Sequence, residues 1–411
     1  MPRVLDVFLL DQKVGQFKDD GRLSFAYDPA YLKQAGARAL SLAMPLTEAL
    51  YEHNVCHAVF GGMLPEGDVR AHLAKALGVS ERNDFSLLAE IGGECAGAVS
   101  MWPPEGPRAK AGARSKRRIL TEQELEGLFK KLPTRPLLTG EGVRLSLAGA
   151  QNKLALVIDE GQLILPAEEE PSTYILKIAA PGFEEILQNE LFCLRLALRA
   201  GLDVAAAFLG RAGSIDYICV KRFDRERGEG GIVQRLHQED FCQALGNVPE
   251  NKYQAEGGPS LAAGVQLLKD HSVEPAADVL DFLKLAYFNF LIGNADAHAK
   301  NYSMLLPKTG PTLAPAYDLV CTDVYPALSN KMAMKVGSEY DPDRVAVRHW
   351  EDLAKQCGFK PDFVLDGIRG LAASLLQHAP ILAVELEKEI GPHQIFAKIQ
   401  KVIQKRAAKM A

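Results

Sequence analysis

At 411 residues the chain exceeds what a single hydrophobic core ordinarily serves and asks for two or three domains. An apolar content of 47% beside 24% charge is that of a folded globular protein and excludes a disordered or fibrous chain. The net charge of −5 argues against a broad basic footprint of the chain's own for nucleic acid.

The first seventeen residues hold only a short apolar run and no small-residue cleavage site, so no signal peptide is expected. No apolar stretch approaches the length of a bilayer span. Seven cysteines form an odd set without CxxC spacing, which suggests neither a disulfide framework nor a zinc site. Cys193, Cys219 and Cys242 sit inside apolar runs, as buried free thiols do, and the reading is a reducing cytoplasm.

Residues 1–102 mix short strands with helices. Within them His53 and His57 have helical spacing for a metal, but no general-base glutamate or third ligand accompanies them, and structural histidines are expected. Residues 103–118, PPEGPRAKAGARSKRR, lack apolar periodicity and read as an exposed basic linker. Residues 119–234 read as a β-rich region. LALVID (154–159) and QLILP (162–166) flank Glu160-Gly161 as a hairpin, and YILKI (174–178) is an apolar strand carrying one lysine. A helical stretch with acids at its start and Gly201 as C-cap follows, then the strand IDYICVKRF (215–223). Residues 235–411 are mostly helical, interrupted by a hairpin around PKTG (307–310).

The strongest chemical signal is GNADAHAKNYSML (293–305), a polar loop between a strongly apolar helix and a short strand. Asp, His, Lys and two Asn at the edge of a core are costly unless they meet ligands or one another. The interval from Asp296 to Asn301 matches the protein-kinase catalytic loop, where Asp accepts the substrate hydroxyl proton and Asn holds magnesium. The hairpin that follows delivers Asp318, a carboxylate suited to Mg2+ between phosphates. Lys177 on its apolar strand must snorkel or be paired, and Glu190 on the next helix is an available partner. The small residues Ala148, Gly149 and Ala150 in SLAGAQNK (146–153) let backbone N–H groups approach phosphate oxygens, although an ordinary tight turn would also use a glycine. In VKRFDR (220–225) hinge backbone can meet an adenine edge, or Arg222 and Asp224 can form a structural ion pair, which is the preferred reading.

In this order the motifs resemble those of the HipA family, the serine/threonine kinase toxins of bacterial type II toxin–antitoxin pairs. The carrying residues are SLAGAQNK, the lysine of YILKI, QNE, VKRFDR, RLHQEDFCQALG, NADAHAKN and APAYDLV, with DDGRLSFAY, LSLAMPL, FGGMLPEG and IGGECAGAVS in the N-terminal region. The resemblance implies an α+β, two-lobed protein-kinase-like fold, similar to phosphoinositide 3/4-kinases, with an additional N-terminal α/β subdomain. It divides the chain into that subdomain (1–102), the linker (103–118), a β-rich lobe with the nucleotide loop (119–234) and a helical lobe (235–411). ATP and Mg2+ are the implied cofactors. Ala148, Gly149, Ala150, Gln151, Asn152 and Lys153 would form the nucleotide loop, with Lys177 and Glu190 at the phosphates and Lys221, Arg222 and Phe223 as the hinge. Asp296 would be the base. His298, Ala299, Lys300, Asn301, Tyr317 and Asp318 would border the nucleotide, Asn301 and Asp318 as metal ligands. Ser146 corresponds to the self-phosphorylated serine that silences the family's enzymes. The implied partners are a helix-turn-helix (HipB-like) antitoxin, which carries the DNA contact, and a protein substrate, the glutamyl-tRNA synthetase in the family. The linker has no counterpart there. A kinase of a lipid or small molecule, and a catalytically idle co-repressor, stand as alternative readings. The absence of a basic amphipathic helix counts against the first, and the intact polar set against the second.

Overall fold

In the N-terminal region apolar side chains recur at every second position, so strands form with one face turned inward. The computed structural model describes residues 3–104, 117–133, 146, 151–167, 170–228 and 231–410. They fall into two compact units, one of Met1–Ile178, Gly210–Glu250 and Leu305–Pro307, the other of Ala179–Leu209, Asn251–Met304 and Lys308–Ala411.

The first unit carries a four-stranded and a six-stranded sheet. Strands β1 (Arg3–Leu9), β2 (Gln12–Asp19), β3 (Leu23–Tyr27) and β4 (Val99–Trp102) form an antiparallel sheet in the order β3-β2-β1-β4. Leu5, Val7, Leu9, Val14, Phe17 and Phe25 fill its inner face. Phe60 packs on Phe17 at 4.4 Å between ring centroids, from the five-residue π turn His57–Gly61.

The second sheet contains β5 (Arg118–Ile119), β6 (Lys153–Asp159), β7 (Gln162–Leu165), β8 (Tyr174–Ile178), β9 (Ala207–Ala212) and β10 (Ile215–Lys221), in the order β5-β7-β6-β8-β10-β9. Glu160 (φ 48) and Gly161 (φ 77) turn the β6–β7 hairpin where the sequence indicates, both in the left-handed conformation that suits a two-residue connection. The helix Glu122–Lys131 begins at a capping box between Thr121 and Glu124, and turns Leu125, Leu128 and Phe129 into this sheet's core. Residues 105–116 of the basic linker lie outside the described residues, and the linker's last residue, Arg118, already belongs to β5.

The second unit is helical: Ile186–Arg199, Leu261–His271, Pro275–Ile292, Val347–Gln356, Pro361–Ile390 and Gln394–Ala408. Twelve of the eighteen residues of Pro275–Ile292 are buried, which makes it the central helix of this unit. Trp350 closes against it, edge-on to Tyr287 and Phe290 at 5.3 and 5.4 Å. All seven cysteines are buried and free, as expected from their apolar surroundings.

Candidate active site

The central helix ends because Gly293 takes φ +75, and a Cβ there would stand 2.8 Å from the Asp323 Cβ. Asn294 then folds back on the helix: its N–H donates to the Asn289 carbonyl and its Nδ2 to Asn289 Oδ1, each at 2.9 Å. Of residues 291–300 only Asp296 is exposed. Its neighbours secure it from the inside. Its carbonyl accepts from the His298 N–H at 2.8 Å and from Asn301 Nδ2 at 3.0 Å, while Oδ1 accepts from the Tyr253 hydroxyl at 2.6 Å. An amide whose nitrogen faces Asp296 turns its oxygen away, and that oxygen is a hard donor suited to a metal. Ala299 and Lys300 complete the short helical turn that ends at Asn301.

Tyr317 bonds Lys300 and Ser303, its hydroxyl donating to the Lys300 carbonyl and accepting from Ser303 Oγ, both at 2.7 Å. Asp318 follows with φ +56, a conformation that costs most residues energy and that aspartate tolerates better than branched or bulky ones. Among the described residues no three His, Cys, Asp or Glu gather as a metal cluster. The oxygen donors Asn301 and Asp318 fit Mg2+, which takes few protein ligands and fills its remaining positions with phosphate and water.

In the first unit Lys153 of β6 stands directly opposite Lys177 of β8, so both lysines share one face of the sheet. Like charges in that register repel unless negative groups meet them. Gln151 Nε2 donates to the Ile178 carbonyl at 3.2 Å. Asn152 is half-buried beside it. Ala148, Gly149 and Ala150 lie outside the described residues. Glu190, proposed as partner of Lys177, belongs to the second unit; both side chains are buried.

The VKRFDR segment forms the structural ion pair that the sequence favours. Arg222 donates from Nε to Asp224 Oδ1 at 2.9 Å and from Nη2 to Oδ2 at 2.8 Å. Glu94 Oε1 accepts from Arg222 Nη1, Arg225 Nη2 and both the amide and hydroxyl of Ser172, within 2.9–3.2 Å. Burial pushes the Glu94 carboxyl up, but the two guanidinium groups outweigh it and hold it below its usual value. The Arg222 N–H is also engaged, donating to the Thr173 carbonyl at 2.9 Å. Arg222 therefore holds the fold with both side chain and amide, while Lys221 is exposed and Phe223 half-buried. Gly97, at φ +74, lets the backbone pass within reach of Asp224, to which its N–H donates at 2.7 Å.

Ser146 is fully buried. Its N–H donates to the Glu94 carbonyl and its Oγ to the Met63 carbonyl, both at 2.7 Å. His57 is structural, as expected: Nδ1 meets Asp84 at 2.5 Å and Nε2 meets Glu250 at 2.9 Å.

Three residues at this site have roles that the sequence reading did not assign, although Asn189 lies in the QNE motif. Tyr253 holds the Asp296 carboxylate. Asn189 Nδ2 donates to the Cys321 carbonyl and its Oδ1 accepts the Cys321 N–H, both at 2.9 Å, which fixes the stretch after Asp318. Thr322 Oγ1 accepts from the Ala295 N–H at 2.7 Å and donates to the Gly293 carbonyl at 3.1 Å. Their partners lie 43, 132 and 27 residues away in sequence, and no local pattern announces such pairs.

Comparison with known proteins gives the class. A chain of the solved Shewanella oneidensis complex of HipA, HipB and operator DNA matches 99% of this chain and 96% of its own length, with TM-score 0.83 at 27% identity. The fold is thus the α+β, two-lobed kinase-like fold of HipA. Sinorhizobium fredii Y4mE, named as a kinase, is 44% identical over 361 residues, 87% of this chain and 86% of that protein. The serine/threonine-protein kinase toxin HipA of S. oneidensis is 32% identical over 390 residues, 91% and 88% of the two chains. Residues 5–102 match the HipA N-terminal domain and residues 145–379 the HipA-like C-terminal domain. The protein belongs to the HipA family and is a kinase, which implies ATP as phosphoryl donor.

Proposed function

We propose that the chain is a Mg2+-dependent serine/threonine-protein kinase acting as the toxin of a toxin–antitoxin pair. The observation that carries the reading is the catalytic loop, where Asp296 alone is exposed and Asn301 is tied to its backbone at 3.0 Å. Asp296 would take the proton from the substrate hydroxyl, oriented by Tyr253, while Asn301 and Asp318 offer oxygens to magnesium. Bound magnesium would supply charge neutralisation at the phosphates. Lys153 and Lys177 would meet the phosphate oxygens. Asp318→Ala tests the metal assignment: calorimetry of ATP binding should show the magnesium-dependent gain in affinity lost, and an unchanged magnesium requirement would remove Asp318 from the metal site.

By family resemblance the substrate is an aminoacyl-tRNA synthetase of the glutamyl type, and Ser146 is phosphorylated by the enzyme itself. The named Shewanella complex supports a HipB-like antitoxin as partner, with DNA contacted through it. The net charge of −5 agrees with that division of labour. Among the described residues no helix is long and apolar enough to cross a membrane. The seven free thiols suit a reducing cytoplasm.

A further inference from the structure

The matched C-terminal domain ends at residue 379, and the last helix, Gln394–Ala408, lies beyond it. That helix carries an arginine which is 1% exposed, Arg406. A buried guanidinium is costly unless carboxylates meet it. Arg406 Nη2 donates to Asp323 Oδ2 at 2.8 Å, Nη1 donates to Asp343 Oδ1 at 3.0 Å, and its Cζ stands 5.7 Å from the centre of the Phe290 ring. Asp323 lies five residues after Asp318, in the short turn Thr322–Val324.

That turn is also bonded to the catalytic loop. The Thr322 and Asp323 N–H groups both donate to the Gly293 carbonyl at 3.0 Å. Thr322 Oγ1 donates to the same carbonyl at 3.1 Å and accepts from the Ala295 N–H at 2.7 Å, one residue before Asp296. A continuous chain of bonds thus runs from Arg406 through Asp323 and Thr322 to the residue beside the proposed base. The same turn closes the loop that begins at the proposed metal ligand.

We propose that Arg406 and Thr322 are positioning residues, which set the base loop and the metal loop in register for phosphoryl transfer. The inference rests on the roles of Asp296 and Asp318 given above. Neither side chain touches substrate. A base and a metal ligand must be fixed together to within a fraction of an ångström, because misplacement by about 1 Å costs on the order of 100-fold in rate. Thr322 supplies the shared anchor, and Arg406 pins that anchor to the last helix.

The test compares Thr322→Val, which keeps shape but removes the hydroxyl, with Thr322→Ser, which restores it, in the full-length enzyme. Arg406→Lys keeps charge but replaces the two-pronged guanidinium with a single point. Each variant is assayed well below its own melting temperature. Thr322→Val should lose roughly 10- to 100-fold in kcat with KM for ATP within about threefold of wild type, and Thr322→Ser should recover most of it. Arg406→Lys should lower kcat likewise, and the double variant Thr322→Val/Arg406→Lys should lose less than the product of the single losses. Full kcat in Thr322→Val, equal kcat in the Val and Ser variants, or losses that only follow the melting temperature would overturn the proposal. Full activity in Asp296→Asn would instead remove the active-site reading on which it rests, so the two failures are told apart.

Discussion

Ser146 is the residue at which burial bears most on the proposed self-phosphorylation. Its Oγ is held by the Met63 carbonyl and its N–H by the Glu94 carbonyl, with no exposed surface. A phosphate brings nearly two negative charges and three acceptor oxygens, and no carbonyl can face those. Phosphorylation at Ser146 would therefore require its side chain to leave this position and would prevent its return. Mass spectrometry after incubation with ATP and magnesium should find Ser146 modified, with ATP affinity reduced at least about tenfold in the modified form. Ser146→Ala should stay active longer. An unmodified Ser146 in active enzyme would make it a packing residue only. The serine itself was legible through the motif it opens. Its burial was not, because Met63 is 83 residues away.

At the scale of elements, the Gly293-capped helix, the loop after it and the PKTG hairpin were readable, since periodicity, a terminal glycine and turn residues act locally. The Ala314 N–H donates to the Ser303 carbonyl at 2.9 Å across that hairpin. The clamps between elements were not readable. Asn189 satisfies both the N–H and the carbonyl of buried Cys321, so Asn189→Ala leaves two backbone groups unpaired. We predict a loss of about 2 to 4 kcal/mol in urea unfolding; a loss under about 0.5 kcal/mol would mean water replaces the amide. The π turn at His57 makes a pH-dependent prediction. Hydrogen bonds to Asp84 and then Glu250 raise the His57 pKa from 6.5 to about 10 against the opposing effect of burial. A raised folded pKa stabilises fully below pH 6.5 and loses that contribution as pH rises through 10. The melting-temperature gap between wild type and His57→Gln should be widest near pH 6 and close above pH 10. A gap that widens with pH would contradict the ion pair.

Across the whole molecule, motifs of the N-terminal region read as family marks prove to be fastenings of the first unit. Gly97 and Glu94 of IGGECAGAVS hold Asp224, Arg222 and Arg225 of VKRFDR. The carbonyl of Val59, the residue just before FGGMLPEG, accepts from Gln243 Nε2 of RLHQEDFCQALG at 2.8 Å. Sequence gives such residues their identity but not their partners, because buried polar networks are written across distant segments. The proposed base and its metal-side partner Asn301 stand out in sequence for the opposite reason: a short loop must present them at a fixed interval. The measurement that bears most directly on the central claim is phosphoryl transfer by Asp296→Asn from labelled ATP, with magnesium, into a cytosolic extract. The variant keeps the shape of the loop while removing the base. The account predicts a wild type that labels a protein acceptor, and a variant that binds ATP within about threefold of wild type yet transfers at least about 100-fold more slowly. Near-normal transfer by the variant would contradict it.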